Sequence, residues 1–139
     1  METIFSKIKL IGCVILLLVG FSKASFSQLE GANWYFGTYA GLDFTSGTPV
    51  PIFDGQLSTS EGCASVSNNN GDLLFYTDGR FVYDKNHNQM PNGSGLLGDP
   101  SSTQSAVVCP KPGTWNPSMG QYDGCIICTI DQVIPAPPL

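Results

Sequence analysis

From Asn33 onward, no stretch of this chain keeps a 3.6-residue apolar rhythm long enough to make a helix. Short apolar or alternating runs are instead cut at close intervals by Gly, Pro, Asn and Ser. A chain punctuated in this way can bury its side chains only by pairing short strands, so the expected class is all-β with antiparallel sheets. Asn33-Trp34-Tyr35-Phe36 opens the series, and Gly41-Leu42-Asp43-Phe44 leads into a Thr45-Ser46-Gly47 turn. Gly62-Cys63-Ala64-Ser65-Val66 and Leu73-Leu74-Phe75-Tyr76-Thr77 flank Asn70-Gly71, whose tolerance of positive φ predicts a hairpin. Asp78-Gly79 makes a further turn into Arg80-Phe81-Val82-Tyr83-Asp84. Residues 85–104 read as one long loop. Ser105-Ala106-Val107-Val108-Cys109 then reads as a strand stopped by Pro110 and Pro112. After a loop to Asp123-Gly124, Cys125-Ile126-Ile127-Cys128-Thr129-Ile130 is apolar on both faces and is expected to be central and buried.

The segment before these strands has a different character. Lys7 and Lys9 precede an apolar run, Leu10 to Phe21, and small residues follow through Ser27. This is the pattern of a helical secretory signal peptide over residues 1–27. Its apolar run is about 12 residues, short of the roughly 20 that a membrane span requires. Leu10-Ile11-Gly12-Cys13 looks like a lipid-attachment box, but most of the apolar run follows the cysteine rather than preceding it. The expected destination is therefore secreted or cell-surface, with no membrane span after cleavage. Residues 28–131 form the expected β-rich domain, and 132–139 a proline-rich tail.

Cleavage would leave Arg80, Lys85 and Lys111 as the only cations against ten carboxylates, seven net negative charges. No basic cluster remains to meet nucleic acid or an anionic membrane surface. The partner expected instead is a protein or glycan at the cell surface.

Four cysteines follow the signal segment: Cys63, Cys109, Cys125 and Cys128. An even count in an exported chain permits disulfides, with a bridge such as Cys63 with Cys109 open to it. Cys125 and Cys128 resemble a redox or zinc motif. On a strand, though, such residues face opposite ways about 10 Å apart, beyond the roughly 7 Å that a disulfide tolerates between Cα atoms. No metal or cofactor is expected. His87 is the only histidine and lies among polar residues that read as a solvated loop; no nucleophile elbow or metalloprotease motif accompanies it. No catalytic residue is assigned, and the chain reads as non-enzymatic. Asn68-Asn69-Asn70-Gly71-Asp72 has too few carboxylates for a calcium loop and fits a hairpin turn better. The aromatics are the stronger lead, with Trp34, Tyr35, Trp115 and Tyr122 as candidate ligand contacts and core filling as their alternative role.

Several motifs occur in order: Trp34-Tyr35-Phe36-Gly37, Ala40-Gly41-Leu42-Asp43-Phe44, Glu61-Gly62-Cys63-Ala64, Gly71-Asp72-Leu73-Leu74-Phe75-Tyr76-Thr77-Asp78-Gly79, Met90-Pro91-Asn92-Gly93, Gly95-Leu96-Leu97-Gly98 and Ser101-Ser102-Thr103-Gln104-Ser105. Together they resemble the N-terminal region of large exported Bacteroidetes proteins, the gliding-motility-associated or type IX-sorted surface proteins. The resemblance covers about residues 33 to 131 and implies part of a β-propeller-like domain with an adhesive or gliding-associated role. It assigns no catalytic residues. A four-stranded blade takes about 40 to 50 residues, so about two blades are expected, in a chain shorter than such relatives and read as a fragment. A carbohydrate-binding or carbohydrate-active propeller fragment is the alternative expectation, and a non-functional remnant a third.

Overall fold

The computed structural model describes residues 29–119 and 121–130. The signal-peptide reading of 1–27 and the proline-rich tail of 132–139 lie outside the described residues. Within them the chain is all-β, with antiparallel pairing throughout and a single 3₁₀ turn, Leu29–Gly31.

Three strands form the first sheet: β1 (Asn33–Phe36), β2 (Ala40–Asp43) and β3 (Val50–Ile52), in that order. Gly37, at φ +59°, turns β1 into β2. The second sheet is a four-stranded meander of β4 (Ala64–Ser67), β5 (Leu73–Thr77), β6 (Phe81–Asp84) and β7 (Gln89–Ser94). The expected Asn-Gly hairpin joins β4 to β5: Gly71 sits at φ +88°, and Asn68 Oδ1 accepts the backbone N–H groups of Asn70 and Asp72. A third unit is a long hairpin of β8 (Ala106–Pro110) and β11 (Cys125–Thr129), with the short pair β9 (Trp115–Asn116) and β10 (Gln121–Tyr122) between them. No ring of sheets closes among the described residues.

Three expectations need correction here. The proposed long loop of residues 85–104 contains β7, an edge strand exposed along nearly its whole length. With neither face well buried it has no apolar alternation, and Pro91 is tolerated at an edge because no N–H is required there. The short strand β3, carrying Pro51, escaped the sequence reading for the same reason. Conversely, β11 is neither central nor buried: it pairs only with β8, and Ile126 on it is 43% exposed.

The apolar core is small and lies between the first two sheets. Tyr35, Leu57 and Tyr76 are its buried centre, with Ile52, Cys63, Leu73 and Tyr83 packed around them. The Tyr35 and Tyr76 rings stack at 4.3 Å, and Tyr76 stacks in turn on Tyr83 at 5.4 Å. Stacked pairs of this kind add about 0.5–1.5 kcal/mol beyond the area they bury. Burial pushes the Tyr35 phenol well above its ordinary range, with Asp54 adding to the effect, and pushes Tyr76 up to about 12.

A second, polar seam ties the meander to the segment before β8. The turn after β5 is buried: Thr77 and Asp78 are closed from solvent, as is Ser105 opposite them. Asp78 Oδ1 accepts the N–H groups of Arg80 and Phe81, and its Oδ2 pairs with Arg80 at 3.1 Å. Ser105 Oγ donates to the Asp78 carbonyl at 2.7 Å, Gly98 N–H to Gly79 O at 2.9 Å, and Gly62 N–H to Ser102 O at 3.0 Å. Three glycines make this approach possible. A Cβ on Gly62, Gly79 or Gly98 would stand 2.3 Å, 2.4 Å or 2.5 Å from atoms across the seam. The Glu61-Gly62, Asp78-Gly79, Gly98 and Ser101-to-Ser105 motifs therefore meet at one place, where they hold neighbouring sheets together.

Candidate functional site

Two constellations stand apart from this scaffold. The first centres on His87. The turn between β6 and β7 is closed by Asp84, whose Oδ1 accepts the N–H groups of Asn86 and Asn88. His87 takes φ +64° in that turn, a left-handed conformation uncommon for a residue with a side chain. The imidazole is thereby aimed back at the core, and the solvated placement expected from sequence is corrected. Gln56 N–H donates to the Tyr76 hydroxyl at 3.1 Å, and that hydroxyl lies 3.0 Å from His87 Nδ1. Nε2 faces Asp54 Oδ2 at 3.4 Å, and Tyr35 O–H donates to Asp54 Oδ1 at 3.1 Å. The circuit ties the 54–56 segment and the β6–β7 turn to the core.

The second constellation is a groove of about 300 Å³ between the meander and the β8–β11 hairpin. Val66, Leu74 and Val108 supply apolar floor, and Trp115, Gln121 and Tyr122 rise from the β9–β10 pair. That pair is set by two side-chain contacts. Asn116 Nδ2 donates to the Asp123 carboxylate at 3.0 Å, and Asn116 Oδ1 accepts Ser118 N–H at 3.1 Å. Directly opposed in register, Trp115 and Tyr122 meet edge to face at 5.1 Å. They remain 53% and 42% exposed. Glu30, from the 3₁₀ turn, and Asn68, from the β4–β5 turn, stand at the rim.

The four aromatics singled out from sequence thus divide. Trp115 and Tyr122 come together at the groove. Tyr35 is 4% exposed and belongs to the core, so it offers no contact surface. Trp34 is exposed, but it packs on Phe44 at 5.0 Å and spends its indole N–H on Gly31 O at 2.8 Å, and it does not line the groove. Among the described residues, by contrast, the Trp115 indole N–H and the Gln121 side-chain amide make no hydrogen bond within the protein.

The four cysteines among the described residues, Cys63, Cys109, Cys125 and Cys128, are free thiols. The Cys63–Cys109 bridge is not made: Cys63 is half-buried against the core, and Cys109 lies exposed on β8. Burial pushes the Cys63 thiol up, with Asp78 adding to it. Burial also raises Cys125, with Cys109 and Glu30 contributing. A thiol held in its protonated form is a poor nucleophile and a poor metal ligand. Among the described residues no group of three or more His, Cys, Asp or Glu side chains is placed to hold a metal ion, and no helix is long and apolar enough to cross a membrane.

No family model, no curated protein and no solved structure matches this chain.

Proposed function

We propose that this chain is an exported, non-enzymatic interaction module that works at a cell surface and contacts its partner through the Trp115–Tyr122 groove. The observation that carries this reading is the exposed aromatic pair over a groove of about 300 Å³. Large aromatics left half in water, rigid and amphipathic, are what recognition surfaces use. In the His87 circuit, the arrangement closest to acid–base machinery, Nδ1 is engaged by the Tyr76 hydroxyl and Asp54 Oδ1 by Tyr35. Export is supported by the n-h-c pattern of residues 1–27, and the acidic balance favours a partner other than nucleic acid. In this reading the four-stranded meander is a propeller-type blade, with the three-stranded sheet and the β8–β11 hairpin as parts of its neighbours. The resemblance of the ordered motifs to those of gliding-associated surface proteins supports an adhesive role.

The test has two arms. Protease treatment of intact producing cells, with analysis of the medium, should find the chain outside the cytoplasm. Fluorescently labelled full chain should attach to those cells, and Trp115→Ala should abolish attachment. Retention of the chain in the cytoplasm, or attachment indifferent to Trp115, would contradict the proposal.

A further inference from the structure

Resting on that reading of the groove, we infer that its ligand is a neutral saccharide, seated with a sugar face against the Trp115–Tyr122 pair and its hydroxyls on Gln121, Glu30 and the Trp115 indole N–H.

The chemistry of the walls selects this class. A pyranose ring has one face of C–H bonds and a perimeter of hydroxyls, so it needs an apolar platform edged by donors and acceptors. Trp115 and Tyr122, their rings inclined at 66° with centroids 5.1 Å apart, form a two-sided aromatic corner. Gln121, next to Tyr122 on β10, also lines the groove. An amide offers both donor and acceptor, as a hydroxyl demands. Glu30 adds an acceptor-only carboxylate, and the Trp115 N–H a donor. Because these groups have no hydrogen-bond partner within the protein among the described residues, a ligand bonds them by displacing water, without breaking a bond inside the protein.

Charge excludes the nearest alternatives. Glu30 lines the groove, Asp72 accepts from the rim residue Asn68 at 2.9 Å, and Asp123 accepts from Asn116 beside Trp115. Lys111 is the one cation on the hairpin, and no arginine or lysine lines the groove. A uronic-acid or sulfated glycan would enter against like charge with no cation to pair it. A lipid chain would fill the floor but leave Gln121, Glu30 and the indole N–H buried without partners. The size agrees as well: about 300 Å³ lies at the low end of ordinary ligand sites and suits a short stretch of glycan.

The experiment is a glycan array probed with the labelled full chain, holding neutral oligosaccharides such as cellohexaose, mannohexaose and chitohexaose, and anionic ones such as hexagalacturonate. Hits are followed by titration of Trp115→Ala, Trp115→Phe and Gln121→Ala, with Phe53→Ala as an exposed aromatic control outside the groove, and circular dichroism to verify folding. The inference expects a neutral hit whose affinity falls at least about thirtyfold in Trp115→Ala and several-fold in Gln121→Ala. Trp115→Phe should retain part of it, Phe53→Ala all of it, and added salt should change it little. Binding to anionic glycans alone, or neutral binding untouched by Trp115→Ala in a folded variant, overturns it. If no glycan binds while Trp115-dependent attachment to cells persists, the saccharide assignment fails and the interaction module stands. If attachment is also absent, both fail.

Discussion

Gly98→Ala is the sharpest structural perturbation available. Gly98 has an ordinary backbone angle, so alanine there meets no conformational penalty and the effect is purely steric. Its new Cβ would stand 2.5 Å from Gly79 O, 2.6 Å from Gly79 C and 2.6 Å from Ser105 Oγ. None of these is the end of a long, flexible side chain, so the seam itself must open. Opening it strains the Gly98 N–H to Gly79 O bond at 2.9 Å and the Ser105 Oγ to Asp78 O bond at 2.7 Å. Ser105 is fully buried, so a lost partner is not replaced by water. One buried polar group left unpaired costs about 1–3 kcal/mol, and overpacking adds about 1–3 kcal/mol. A loss of about 3–5 kcal/mol is expected, a large part of the stability of a domain this small. Urea unfolding followed by tryptophan fluorescence measures it, with Gly31→Ala, whose added Cβ would meet nothing within 4 Å, as the reference. A Gly98→Ala midpoint equal to that of Gly31→Ala would refute the claim that the seam is close-packed.

Tyr76→Phe keeps the stacked rings but removes the hydroxyl that Gln56 N–H and His87 Nδ1 share; a loss of about 1–3 kcal/mol in urea unfolding is expected, and an unchanged midpoint would show the circuit to be idle. Alkaline pH should unfold the protein. The Tyr76 phenol is pushed up to about 12 from 10.0, so its folded-state value exceeds its unfolded one and its contribution is complete below pH 10 and lost towards pH 12. That shift corresponds to about 2–3 kcal/mol, and Tyr35 and Tyr83 shift in the same direction. Phenolate absorbance should therefore rise together with loss of the β-sheet dichroism signal; early titration of every tyrosine in a still-folded protein would contradict the core assignment. Asn33→Ala should destabilise by about 1–3 kcal/mol, because its amide bridges Ser67 Oγ at 3.0 Å and Gly71 O at 2.7 Å in a buried position.

The legibility of this fold in sequence follows burial. β1, β5 and β6 carry aromatic or β-branched residues bounded by turn residues, and their sequence runs match the strands to within a residue or so. β3 and β7 were invisible because an exposed edge strand needs no apolar alternation and accepts proline. β11 misled in the opposite sense. Its unbroken apolar run signals burial on two faces, yet Val107 and Ile126 remain exposed on the two-stranded hairpin. The His87 circuit could not be foreseen, since it joins residues from four separate segments through one left-handed turn. The groove was half legible. Trp115 and Tyr122 were recognisable as aromatics outside the obvious core strands. Their pairing depended on a two-residue ladder set by Asn116 and Asp123, which reads in sequence as plain loop.

The most direct test of the central claim uses the fact that the chain has two tryptophans, Trp34 and Trp115. In Trp34→Phe all indole emission comes from the groove. Titrating that variant with the neutral oligosaccharide selected on the array should give a saturable blue shift, as Trp115 leaves water. The reciprocal variant Trp115→Phe should show no change from Trp34. A shift reported by Trp34, or none from Trp115 at saturating ligand, would contradict the assignment of the groove as the binding site.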